Sequence, residues 1–81
     1  MTEAQIYQAL TEIFRDFFAN SAIELKPETT AKDVEGWDSL NHLSLMIAAE
    51  NHFGIKLKTG EIEKLTKVED LVAVIHQRLS A

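Results

Sequence analysis

A carboxylate, a hydroxyl and an imidazole fall within five residues in Asp38-Ser39-Leu40-Asn41-His42. Three chemistries could use them. Serine hydrolysis needs a base on the hydroxyl, a carboxylate that orients the base, and an oxyanion hole. Gly36-Trp37-Asp38-Ser39-Leu40 lacks the glycine that a nucleophile elbow places two residues after its serine. A metal site would need closely spaced ligands. His42 and His52 are ten residues apart and His76 lies on another segment, so the three histidines read as surface residues. The third possibility is covalent attachment at Ser39. Aspartate and serine are both favoured at helix starts, because a side-chain oxygen can accept an orphan N–H there. If Asp38 does the capping, Ser39 is the first helical residue and its hydroxyl can point outward. The helix dipole and free backbone N–H groups at that place favour an anion such as a phosphate ester. The plain alternative is that the pair only caps the helix.

Totals narrow the choice. With 81 residues the chain should form one small domain, residues 1–81, of roughly 4–12 kcal/mol stability. A deep enclosed active site is hard to build at this size. The chain has no cysteine, so a thiol could only come from a cofactor. The net charge is −5, and residues 1–40 hold eight acids and three bases against five of each in residues 41–81. Nucleic acid is excluded as a partner for want of a basic face. No long apolar run or leader pattern is present, which predicts a cytoplasmic protein without membrane insertion.

The elements that would position Ser39 are helical. Ile6, Leu10, Ile13, Phe14 and Phe17 predict a first helix over 3–18, with Thr2 and Gln5 as its capping box. Residues 19–38 have loop composition, with Ile23, Leu25, Val34 and Trp37 available to pin them to a core. A second helix should span 39–53 and stop at Gly54, with Ile55 making the apolar contact of a Schellman ending. A short element near 60–65 holds Ile62 and Leu65. A last helix over 67–79 has Thr66 and Glu69 in capping-box spacing. Ile55-Lys56-Leu57-Lys58 alternates too briefly for a strand. The fold class is all-α: a four-helix bundle with three longer helices, a short third one and a long first loop.

The second helix carries more apolar surface than one core face requires. Leu45, Met46, Ala49 and Phe53 form one cluster, and Leu40, Leu43 and Ile47 form another. Together they span roughly 220° of the wheel, about twice an ordinary core-facing stripe. Either the long loop covers the second cluster or it is a contact surface for a partner.

Asp38-Ser39-Leu40 at a helix start, after a long acidic loop in a four-helix domain of this size, resembles the acyl carrier proteins. Glu50-Asn51-His52-Phe53-Gly54-Ile55 extends the likeness through the second helix, and it covers nearly the whole chain. The resemblance implies 4′-phosphopantetheine on Ser39, added from coenzyme A by a phosphopantetheinyl transferase. Its thiol would hold acyl groups as thioesters for acyl-loading and condensing enzymes, and the protein, a monomer, would itself catalyse nothing. Asp38 would shape the helix start and help recruit the transferase with its Mg²⁺. Leu40, Leu43, Ile47 and Glu50 would meet partners. Met46, Ala49, Phe53, Ile62, Leu65 and Leu71 could line a space for the acyl chain, or simply pack the core. The usual pattern has an acidic second helix, whereas here Asn41, Ser44 and Asn51 occupy positions that are typically acidic, and Trp37 replaces a small residue. That points away from housekeeping fatty-acid synthesis, towards a polyketide, lipid-modifying or other specialised pathway. An aminoacyl or peptidyl carrier would share the arm and the fold. A non-covalent helical adaptor using the Leu40, Leu43, Ile47 stripe is the alternative of a different class.

Overall fold

Thr2 opens the first helix. Its hydroxyl accepts the Gln5 N–H at 3.2 Å, and Gln5 Oε1 accepts the Thr2 N–H at 2.8 Å, so the reciprocal cap is complete. The computed structural model describes residues 1–80. Four helices follow one another along the chain: α1 (Glu3–Phe17), α2 (Ser39–Phe53), α3 (Thr59–Lys64) and α4 (Val68–Ser80). Helix α1 packs on both α2 and α4. Ile6, Leu10 and Phe14 recur every four residues on α1 and are fully buried, joined by Leu45, Met46 and Ala49 of α2 and Val68, Leu71, Val72 and Ile75 of α4. Among the described residues no strand forms, and Thr30 and Lys67 make a lone antiparallel bridge. In 55–58, Ile55 and Leu57 do turn inward while Lys56 and Lys58 stay exposed, but no neighbouring strand pairs with them.

Both long-helix endings before α3 use left-handed residues. Gly54 has φ +67°, and the Ile55 N–H reaches back to the Glu50 carbonyl at 3.1 Å, which is the six-to-one bond of the Schellman ending. Helix α1 ends the same way at Ala19, φ +51°, with Asn20 N–H on the Arg15 carbonyl at 3.0 Å. A Cβ in that conformation is strained, and glycine would relieve it. Ala19→Gly is therefore expected to stabilise the protein by about 0.5–1 kcal/mol, read as a rise in the urea midpoint.

The long loop is fastened at several points. Ile23, Val34 and Trp37 are buried, and Arg15 Nε donates to the Ile23 carbonyl at 2.8 Å. Thr29 is buried with its hydroxyl accepting the Lys26 N–H at 2.9 Å. A 3₁₀ turn, Ala31–Asp33, is closed by the Asp33 carboxylate on the Thr30 N–H at 2.9 Å. Helix α4 begins against this loop: Val68 N–H donates to the Thr29 carbonyl at 2.9 Å and Glu69 N–H to the Pro27 carbonyl at 3.1 Å. This corrects the expected Thr66–Glu69 cap. The helix starts at Val68, so the third helical position is Asp70, whose carboxylate accepts the Lys67 N–H and the Thr66 hydroxyl, each at 3.3 Å.

Helix α3 has six residues, too few to persist alone. Ile62 is its buried residue. Glu61 accepts the Lys58 N–H at 3.0 Å and pairs with Arg78 of α4. The backbone hydrogen bond first, and then the guanidinium, hold the Glu61 carboxyl below the ordinary 4.5. A carboxylate with a depressed folded-state value contributes stability above its unfolded value, and that contribution is lost as pH falls through the lower folded one. Glu61→Gln should thus melt below the wild type at neutral pH, and the gap should close on acidification below about pH 4.5. Thermal scans from neutral pH into that range check it.

Candidate functional site

The approach to α2 is set by two neighbouring residues. Gly36 turns the chain at φ +92°, a conformation that favours glycine, and a Cβ there would press on Phe18 Cδ1 at 3.1 Å. Trp37 then drives into the core, 6% exposed, edge-on to Phe14 with ring centres 5.0 Å apart. Asn41 Nδ2 donates to the Gly36 carbonyl at 2.8 Å and locks the junction. Asp38, extended, caps the helix: its Oδ1 accepts the N–H groups of Leu40 at 3.0 Å and Asn41 at 2.9 Å. Ser39 is consequently the first residue of α2, exposed, and its hydroxyl is not used in the cap.

Two surfaces meet at Ser39. Leu40, Leu43 and Ile47 are 86%, 53% and 47% exposed, so the long loop does not fold over this stripe. A groove of about 610 Å³ runs on another side, lined by Ala31, Lys32, Trp37, Ser39, His42 and Leu65 among others. Its walls are mainly apolar, with Lys32, Asp38 and Glu63 supplying charge.

The six residues considered for an acyl-lining role all lie in or against the one core cluster, and differ in how far they reach the surface. Met46, Ala49 and Leu71 are packed into the core at 1% exposure or less. Ile62 is buried, Phe53 is half-buried against the core, and Leu65 alone of the six lines the groove. The Glu50 carboxylate is tied to the backbone of its own chain. It is half-buried and Oε2 accepts the Leu57 N–H at 2.6 Å, which holds the 54–58 segment to α2. The outer face of α2 therefore presents no uncommitted acid.

His42 departs from the surface reading. It is half-buried, its ring nearly coplanar with the Trp37 indole at 18°, with Nδ1 accepting the Trp37 Nε1–H at 2.9 Å and Nε2 3.0 Å from the Ile62 carbonyl oxygen. These partners require the tautomer protonated on Nε2. Both ring nitrogens are committed, so His42 has no free nitrogen to offer Ser39 as a base. Among the described residues no group of histidine and carboxylate side chains could hold a metal. The signal for His42 was available in the chain: a buried tryptophan needs an acceptor for its N–H, and His42 follows Trp37 by five residues at the helix start. The groove residues Thr30, Ala31, Lys32, Glu63 and Thr66 carry no motif and come together only in three dimensions.

Comparison with known proteins agrees with this geometry. Residues 8–75 match the family model described as phosphopantetheine attachment site. An acyl carrier protein of Nitratidesulfovibrio vulgaris strain Miyazaki F is 33% identical over 73 residues, spanning 90% of this chain and 96% of the relative. One from Clostridium acetobutylicum is 33% identical over 70 residues, 86% of this chain and 91% of the relative. The fold is similar to the solution NMR structure of a holo acyl carrier protein from Geobacter metallireducens, with a TM-score of 0.85 and 42% identity over 91% of this chain and 85% of that one. With an exposed serine behind a capping aspartate, and a family match across most of its length, the chain belongs to the acyl carrier proteins, which bear covalent 4′-phosphopantetheine and are carriers rather than enzymes.

Proposed function

We propose that this protein is a monomeric, single-domain carrier whose arm is attached at Ser39. The observation that carries the proposal is the division of labour at the start of α2: Asp38 takes the cap, leaving the Ser39 hydroxyl exposed. The arm supplies a thiol that holds acyl groups as thioesters. Around it, the protein positions and presents. The helix dipole of α2 favours the phosphate at Ser39, and Lys32 adds a positive charge in the same groove. Leu40, Leu43 and Ile47 offer the transferase and the acyl-loading and condensing enzymes an apolar surface that starts beside the attachment point. No helix among the described residues is long and apolar enough to cross a membrane, and the cytoplasm is the compartment in which coenzyme A and such enzymes meet the protein. Incubation with coenzyme A, Mg²⁺ and a promiscuous phosphopantetheinyl transferase should add one phosphopantetheine to the intact mass, and fragmentation should place it on Ser39. Addition elsewhere, or none with two different transferases, defeats the proposal.

The pathway we infer is specialised. Helix α2 carries a single acid, Glu50, and its carboxylate is engaged with Leu57 N–H. Enzymes that recognise carriers through basic patches find little to hold on this helix. Ser44 and Asn51 are both exposed on it. The double change Ser44→Glu, Asn51→Glu is expected to raise loading by ordinary fatty-acid-synthesis enzymes by about tenfold at low salt, with the gain fading as salt rises. Initial loading rates at two ionic strengths check it. A flat response would remove charge from the explanation of partner choice.

A further inference from the structure

His42 lines the groove beside Ser39, and attachment and partner docking leave it without a task. On one side it receives the Trp37 indole N–H; on the other it faces the Ile62 carbonyl. Trp37 ends the long loop and Ile62 sits in α3, so a single ring ties loop, α2 and α3 together. The same ring heads a row along α2. Met46, Ala49 and Phe53 follow it at helical spacing on one face, and Met46 and Ala49 are sealed in the core. The groove therefore reaches His42 from outside, and the core row begins directly behind it. Helix α3 is short enough to depend on its attachments. These are the Ile62 side chain, the Glu61–Arg78 pair and the bond to His42.

We propose that His42 determines where the cargo rests. Its ring closes the passage from the groove to the Met46–Ala49 row, so an acyl chain stays outside, along Trp37 and Leu65, open to partner enzymes. The cargo class that fits is one processed from the outside rather than stored among the helices. This rests on attachment at Ser39.

The test loads wild type and His42→Ala from acetyl- and decanoyl-coenzyme A with a transferase, and first verifies one added acyl-phosphopantetheine by mass. Hydroxylamine then cleaves each thioester: its nitrogen bonds to the carbonyl carbon, the C–S bond breaks, and the arm's thiol is released. The chain has no cysteine, so a thiol reagent reads that release without background. Rates are divided by those of the same thioesters on free pantetheine. In the wild type the decanoyl and acetyl ratios should agree within about twofold, whereas in His42→Ala the decanoyl ratio should fall about fivefold, as when about four-fifths of the chains lie inside. Decanoyl protection already present in the wild type would overturn the proposal, as would its absence in both proteins. Failure of loading in both would instead strike the carrier reading itself. If His42→Ala does not fold by circular dichroism, His42→Ser, which is as small but keeps a polar group at the groove wall, takes its place with the same expected result.

Discussion

Ser39→Ala should gain no mass under conditions in which the wild type is converted completely. The effect is all-or-none because the substitution deletes the oxygen on which the proposed attachment depends. It should also leave the fold intact. Ser39 is exposed, its hydroxyl is outside the cap, and alanine is the better helix former. The change in stability is expected to stay within about 0.5 kcal/mol, as for surface substitutions that touch no special feature. Asp38→Ala separates the two roles of the motif. Its Oδ1 takes two backbone N–H groups, so its loss should cost about 1 kcal/mol while Ser39 remains available. Denaturation curves beside intact masses for the two variants check both statements. Mass addition to Ser39→Ala would move the arm elsewhere. A Ser39→Ala protein that loses function without losing stability excludes the non-covalent adaptor, which needs only the Leu40, Leu43, Ile47 stripe.

That stripe shows why so much of this protein can be read from its residues. Helix periodicity is a local property, and α2 has apolar positions on two faces of one helix. A core this small can take only one of them, and it takes Leu45, Met46 and Ala49. The capping box of Thr2 and Gln5 and the ending at Gly54 are local in the same sense: each involves groups a few residues apart, and each formed as expected. The Thr66–Glu69 cap failed for a non-local reason. The carbonyls of Pro27 and Thr29 take the N–H groups of Glu69 and Val68, and that tie between distant segments accompanies a helix start one residue later than the local pattern implied. Glu50 has a non-local tie too: the backbone after Gly54 curls back and presents the Leu57 N–H to its carboxylate. His42 was invisible to periodicity because its partners are an indole and a carbonyl twenty residues on. The groove beside Ser39 draws on the loop, α2, α3 and the residues before α4, so no single stretch of chain announces it.

Trp37→Ala is expected to cost about 3–5 kcal/mol, the range for deleting a large buried aromatic. Against a total of roughly 4–12 kcal/mol for a chain of this length, that leaves a protein close to unfolding. The loss has three sources. The indole is 6% exposed and meets Phe14 edge-on, so a cavity opens beside α1. Its N–H is the donor to His42 Nδ1, and removing it leaves a half-buried acceptor without its partner. It is also the last anchor of the loop before Asp38, so the cap of α2 loses its footing. Trp37→Phe divides these terms. It keeps much of the packing and removes the donor with part of the ring, and should cost about 1–2 kcal/mol. Urea denaturation of the two variants, followed by circular dichroism because the protein's one tryptophan is gone, gives the numbers. If Trp37→Phe costs as much as Trp37→Ala, the bond to His42 outweighs the ring's packing, and the junction at the start of α2 is held chiefly by polar contacts. If Trp37→Phe costs nothing, the ring's volume alone holds it, and His42 is fixed in place by the Ile62 carbonyl without help from the indole.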